Sequence, residues 1–304
     1  MGISEMPDPP CCCLTDNGSY RPEATFSLRK LSGELSAVSG HEIYPVSLLH
    51  SNKISPAKLG GIPADTFEPF LLAKRSEGIS NFLVTPLFFG PSAAAYEFIP
   101  QRVDTIRDEH GWPELEVRVA PCVVDVSRPD DTRIAEILAD LIRGCASENK
   151  IDNAYVALCD HGAPRIKVTE IRNFLAGQLQ GFPDLPDTIS PCSMERREGD
   201  EYAFNEPLLE NLLGSPGFTG DVIVSMLFFQ AGRHAGADGD VTKICTEAEK
   251  ANPNLKVHTT DLVASHPALV SILAERLHQG LDSTPVSWAA KLDKDSPSSG
   301  RIAP

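Results

Sequence analysis

Two histidines stand where an imidazole can do chemistry. His161 lies in Cys159-Asp160-His161-Gly162-Ala163-Pro164-Arg165, and His234 lies in Gln230-Ala231-Gly232-Arg233-His234-Ala235-Gly236. Each run follows an apolar stretch, contains glycine, and carries an arginine near its histidine. A neutral imidazole nitrogen binds borderline divalent ions, and its ordinary pKa near ~6.5 also lets it take up protons close to neutrality. Glycine admits a ligand close to the backbone, and arginine forks onto carboxylates. One histidine at a strand end is most often a hydrogen-bonded loop residue. Two at equivalent strand ends point to a metal or acid–base site.

The elements that must position this pair read as a duplication. Residues 82–89 (FLVTPLFF) and 222–229 (VIVSMLFF) are apolar runs of strand length, the kind buried on both faces of a parallel sheet. Leu87 and Leu227 stand 140 residues apart, as do Leu115 and Leu255 in the next apolar stretch. Helix-like segments at 97–110 and 238–250 lie between. Alternating strands and helices predict an α/β protein of two tandem lobes, each a parallel β-sheet flanked by helices. Ligands of such sheets sit beyond the carboxyl ends of the strands. Pairing Tyr44–His50 with Tyr155–His161 as first strands gives a spacing of 111, which assigns some 29 extra residues to the second half near 181–210. This reading divides the chain into an N-terminal extension (1–40), a first lobe with a degenerate site (41–148), a second lobe with the metal and catalytic site (149–282) and a C-terminal tail (283–304). The first lobe is called degenerate because His50 stands alone there and Ala94 takes the place of His234.

Composition narrows the function. With 27 Lys and Arg against 42 Asp and Glu, the net charge is −15, which excludes a general basic surface for nucleic acid or anionic membranes. No apolar run approaches the ~18 residues of a membrane span. The N-terminus lacks a basic and apolar leader, and the eight cysteines contain no C-x-x-C pair, so a reducing, cytoplasmic setting is expected. The Cys11–Cys13 triplet reads as part of a mobile tail, with soft-metal capture as the alternative. No dinucleotide fingerprint, P-loop or nucleophile elbow occurs, and no organic cofactor is expected.

The Asp160-His161-Gly162 run and the segment LFFQAGRHAGADGDV at 227–241 resemble the class II chelatases, the sirohydrochlorin cobaltochelatase and ferrochelatase family of the CbiX/SirB type. The run PLFFGPSAAAYEFIP at 86–100 is similar in kind, and the likeness extends over about residues 43–280. The resemblance implies two lobes facing across a cleft and the insertion of Co2+, Fe2+ or Ni2+, as substrate, into a sirohydrochlorin-type tetrapyrrole. It places His161 and His234 as the metal-handling and catalytic histidines and Glu195 as the accompanying acid. Arg165, Arg233, Arg196, Arg197, Gly162, Gly232 and Ser92 would hold the ring and its carboxylates. One departure is that both histidines fall in the second half.

Metal insertion requires an ion stripped of water, two departing pyrrole protons and a bent ring. Neutral imidazoles serve the first two needs, and a carboxylate can relay a proton. Two rival readings remain: a non-catalytic carrier of metal or tetrapyrrole on the same fold, and an enzyme of that fold acting on another small molecule. A homo-oligomer is compatible with either.

Overall fold

The computed structural model describes residues 9–186 and 188–288. The expected tail beyond 288 and residues 1–8 lie outside the described residues. The first half contains β1 (Cys11–Asp16), α1 (Pro22–Ser39), β2 (Ile43–Ser47), β3 (Asp65–Thr66), α2 (Phe67–Ser76) and β4 (Asn81–Pro86). It continues with α3 (Ile99–Glu109), β5 (Glu116–Val119) and α4 (Arg133–Asn149). The second half contains β6 (Tyr155–Asp160), α5 (Ile166–Leu179), β7 (Ile189–Ser193), α6 (Leu209–Leu212) and β8 (Gly220–Met226). It ends with α7 (Asp240–Ala251), β9 (Leu255–Thr259) and α8 (Leu269–Leu281). No helix among the described residues is long and apolar enough to cross a membrane.

Two parallel sheets result, in the orders β3-β2-β1-β4-β5 and β7-β6-β8-β9. Their central strands are buried on both faces, as Phe82-Leu83-Val84 and Val222-Ile223-Val224 require. Alternation along β1 divides the burial. Cys12 and Leu14 face a core shared by both sheets, and Cys13 faces an outer core with α2 and α3. The shared core takes Leu83 from the first sheet and Val156, Leu158 and Ile223 from the second. Burying each such side chain contributes roughly 1.5–3 kcal/mol, so the two sheets are welded rather than merely tethered.

The structure corrects the sequence reading at the start of the chain. Cys11–Cys13 is not a tail: it begins β1, the middle strand of the first sheet. Cys12 and Cys13 are buried there as small apolar residues. The strand equivalent to Tyr155–Asp160 is therefore Cys11–Asp16, and Tyr44–His50 belongs with β2, whose equivalent in the second sheet is Ile189–Ser193. Asp16 pairs with Ser47 as Asp160 pairs with Ser193. No large insertion separates the first two strands of the second half. The prolines and cysteines around residue 11 hid a strand whose neighbours, not its own pattern, define it.

The boundary between lobes is also crossed. Helix α4 packs on the second sheet, where Cys145 Sγ reaches the Thr259 carbonyl at 3.7 Å. Helix α8 returns to the first sheet. Gly280 lies against Ala120 and Leu83, and the buried Arg276 donates to the Val123 carbonyl at 3.0 Å. The segment after it is tied to the first half as well, with Val286 N donating to Val117 O at 2.8 Å. Each half thus completes the other. Leu273, fully buried on α8, should on truncation to alanine cost about 2–5 kcal/mol in urea unfolding. Hydrogen exchange should quicken in β4 of the first sheet; quickening confined to the second half would contradict the exchange of helices.

Candidate metal centre

A cavity of about 880 Å3 opens between the carboxyl ends of the central strands, toward the upper end of the ~300–1,000 Å3 usual for small-molecule sites. Its floor is doubled, like the chain. Leu87-Phe88-Phe89 and Leu227-Phe228-Phe229 line it from the two sides. Phe89 and Phe229 occupy equivalent places and stack on each other, with centroids 3.9 Å apart and planes 13° from parallel. The lining they provide is apolar.

His161 and His234 meet at this floor. Their ring centroids are 4.4 Å apart, with the planes at 76°. His161 ends β6 and His234 sits in the loop after β8, so two adjacent parallel strands bring together residues far apart in sequence. His161 Nδ1 lies 2.9 Å from the Gly162 carbonyl oxygen, which can only accept. His234 Nδ1 lies 2.9 Å from Asp240 Oδ2. Lys243, 3.0 Å from the other oxygen, holds the Asp240 carboxyl below its ordinary range, so that oxygen also accepts. Both Nδ1 atoms face acceptors and donate, so in the neutral ring Nε2 is the nitrogen left to bind a ligand. Burial and the neighbouring His161 push the His234 imidazole below its ordinary pKa, against the opposing pull of Asp240. His234 is therefore neutral, as a ligand must be, at neutral pH.

Glu195 Oε1 stands 3.5 Å from His161 Nε2. The two residues are linked through the backbone, since Glu195 N donates to His161 O at 3.2 Å. Gly162 turns the chain there at φ 90°, and a Cβ on it would collide with the Glu195 carbonyl. Glu195, His161 and His234 do not gather their ligand atoms within 4.8 Å of one another. Among the described residues only Glu68, Glu109 and His110 do so, on the surface beside Arg102.

Beneath His161 lies a buried polar network that the sequence did not reveal. Arg172, 1% exposed, donates to Ser193 Oγ at 2.5 Å and to the Asn205 carbonyl at 3.1 Å. Ser193 Oγ donates to Asp160 Oδ1 at 2.6 Å, and Gly162 N donates to the same oxygen at 3.0 Å. Burial raises the Asp160 carboxyl pKa, offset by Arg172, Ser193 and the Gly162 amide. Asn205 clasps Ala163 from both sides, accepting from its N–H at 2.9 Å and donating to its carbonyl at 3.0 Å. An arginine in a helical apolar pattern gives no sign of burial until its partners are placed. Asp240, by contrast, had a signal: an acid opening a helix six residues after His234.

The other expected residues divide. Gly162, Gly232, Ser92, Arg165 and Arg233 line the cavity. Arg165 forms an ion pair across it with Glu97 of the first half, and Arg233 stands 82% exposed at the rim, 3.6 Å from Asp240. Arg196 and Arg197 do not line it. Arg196 is held by Glu206 at 2.8 Å and the Gly199 carbonyl at 2.9 Å, and Arg197 stands over Tyr202. Their own loop consumes both guanidiniums. In the first half Asn17, not His50, occupies the place of His161, because Leu49 N bonds Asn17 O as Glu195 N bonds His161 O. His258 pairs with Asp221 at 3.0 Å and His266 with Asp140 at 3.4 Å, away from the cleft.

No family model matches this sequence, and no curated protein does. Solved structures do match. SirB from Bacillus subtilis with Fe3+ superposes at a TM-score of 0.60, covering 90% of this chain and 95% of that one at 16% identity. SirB from Bacillus subtilis subspecies spizizenii in complex with cobalt gives 0.61, over 89% and 94% of the two chains, at 17% identity. CbiX, described as the terminal enzyme for siroheme biosynthesis in denitrifying bacteria, gives 0.55 over 88% and 98% at 14% identity. The chain has the class II chelatase fold.

Two outcomes check the local chemistry. Gly162→Ala should lower stability by about 1–3 kcal/mol in denaturant, the range for strain at a special backbone position, and displace the His161–Glu195 turn. Asp240→Asn should weaken Co2+ binding about 10–100-fold by calorimetry, the usual cost of losing a partner that orients a ligand; unchanged affinity would remove His234 from the ligand set.

Proposed function

We propose that the protein is a chelatase that inserts a divalent metal ion, Co2+, Fe2+ or Ni2+, into a sirohydrochlorin-type tetrapyrrole. The observation that carries this reading is the pair of imidazoles at 4.4 Å, each engaged through Nδ1 so that Nε2 is the nitrogen turned to a ligand, in the apolar-walled cleft of a chelatase fold. The neighbouring structures, SirB with Fe3+ and with cobalt and CbiX of siroheme biosynthesis, support the same chemistry.

His161 and His234 hold the incoming ion through Nε2. The donor set is open: the two rings stand together and Glu195 lies to one side, 3.5 Å from His161 only. A closed four-ligand site suits a structural ion, whereas an open pair suits an ion that must leave for the ring. As the pyrrole nitrogens take the metal, their protons pass to the vacated imidazoles, and Glu195 accepts from His161 and relays to solvent. The apolar Leu-Phe-Phe lining from the two halves takes the apolar part of the ring. Ser92, the amides at Gly162 and Gly232, and Arg165 and Arg233 hold its substituents.

The test is incubation of the protein with sirohydrochlorin and each ion, following the absorption change of the macrocycle. His161→Ala and His234→Ala should each lower the rate at least about 100-fold, as expected when a ligand to the reacting ion is removed; wild-type rates in both variants would refute the roles. Ring binding with no metal entry in the wild type would instead mark a carrier. Because proton and metal compete for the same nitrogen, the rate should fall as pH drops below the ordinary imidazole value near ~6.5. The His234 limb should lie lower than that value, given the downward push on its pKa. Titration by imidazole proton resonances checks the position, and a His234 midpoint above ~6.5 would contradict it.

A further inference from the structure

The first half contributes no imidazole pair, yet its wall of the cleft is cationic and strained. Tyr20, Arg21 and His50 line the cavity on that side. The Tyr20 ring is 60% exposed, its centroid lies 5.0 Å from that of His50, and Lys53 Nζ stands 5.9 Å from it. Among the described residues no carboxylate pairs with Arg21, His50 or Lys53. In a chain of net charge −15, three unpaired basic residues around one exposed aromatic ring at a cavity rim form a local reversal of the surrounding field.

Two further observations give these residues no local employment. Arg21 occupies the N-cap of α1 and makes no capping bond, where Ser, Thr, Asp or Asn would satisfy the free amides. Arg165, 144 residues on, occupies the same position of α5 and also makes none. His50 sits at φ 68°, ψ −42°, with Ser51 N donating to Leu49 O at 2.8 Å. That is a γ-turn of the strained, positive-φ kind. Among the described residues the other non-glycine at positive φ, Lys150, ends a helix, where a left-handed residue is ordinary. Strain of this sort persists where the surroundings impose it and gathers at ligand sites.

We infer that Tyr20, Arg21, His50 and Lys53 form a carboxylate-binding subsite on the first half, gripping the acidic substituents of a flat macrocycle while the histidine pair of the second half faces its centre. The inference rests on the chelatase reading and adds the side of the cleft that orients the ring. Arg21 is the open counterpart of Arg165, whose guanidinium is already engaged by Glu97, so the first contacts with an acidic ligand fall to Arg21 and its neighbours. His50 takes the place that Arg196 holds in the second half, where the guanidinium is turned into its own loop. The histidine pair lies on one wall, and this subsite adds anion recognition from the other.

The experiment titrates the full-length protein with two metal-free porphyrins, following their main absorption band: uroporphyrin, an octacarboxylate, and deuteroporphyrin, a dicarboxylate. Arg21→Ala and Lys53→Ala should each weaken uroporphyrin about tenfold, the effect of losing one charge-assisted contact. Deuteroporphyrin should move less than about twofold on the same scale, and Arg21→Lys should recover part of the loss. Co2+ affinity, measured by calorimetry, should stay at the wild-type value, which also reports that the variants fold. Wild-type uroporphyrin affinity in the Arg21→Ala/Lys53→Ala double variant, or equal weakening of both porphyrins, would overturn the subsite and leave the chelatase reading standing. Failure of the wild type to bind either porphyrin would overturn the tetrapyrrole reading and the subsite with it.

Discussion

The site depends on where two protons sit. Each imidazole gives its Nδ1–H to an oxygen that can only accept: the Gly162 carbonyl for His161 and the Asp240 carboxylate for His234. That choice leaves a lone pair on each Nε2. Two imidazolium ions at this separation would repel, and burial further disfavours charge on His234. Double protonation is therefore disfavoured, and His234 in particular is held toward the neutral state. The strand tips, the glycine turns and the acid that opens α7 all serve this one arrangement.

The support under it is unequal between the halves. Beneath His161, Arg172 joins Asp160, Ser193 and Asn205 in a buried network. A buried guanidinium is tolerated only when its donors are satisfied, and here the satisfied donors hold the turn that carries His161 and Glu195. At the place of Arg172 the first half has Leu28, fully packed in the shared core. Its carboxylate, Asp16, keeps the hydrogen bond from the glycine amide but has no guanidinium, and burial pushes it up to about 6. Equivalent backbones thus carry a turn braced by a buried guanidinium on one side and one braced by the Ser47 and Ser51 hydroxyls on the other. The parallel-sheet framework is kept in both; the facing imidazoles stand in one.

The crossing of α4 and α8 fixes the relation of the two halves. Each sheet is covered by a helix from the other end of the chain, and a single core runs between them. The stacked Phe89 and Phe229 mark the junction at the cleft floor. The cleft is thus built on packed core contributed by both halves rather than on a loose seam.

Much of this was legible beforehand. The apolar runs at 82–89 and 222–229 declared buried parallel strands, because burial on both faces forces continuous apolar sequence, and the alternation of strands and helices declared two parallel sheets. Glycine-rich runs ending those strands marked His161 and His234, since a parallel sheet presents its carboxyl ends to ligands. The first strand was not legible: Cys11–Asp16 is a strand only because β2 and β4 pair with it. Nor was the fate of each arginine. Arg172, Arg196 and Arg165 are alike in sequence, yet one is buried under the site, one is tied into a loop, and one bridges the cleft. Residue type and spacing, which are local, determined the candidate chemistry and the class of fold. Which nitrogen stays free and which cation faces a ligand depend on partners distant along the chain, and only the tertiary structure supplies those partners.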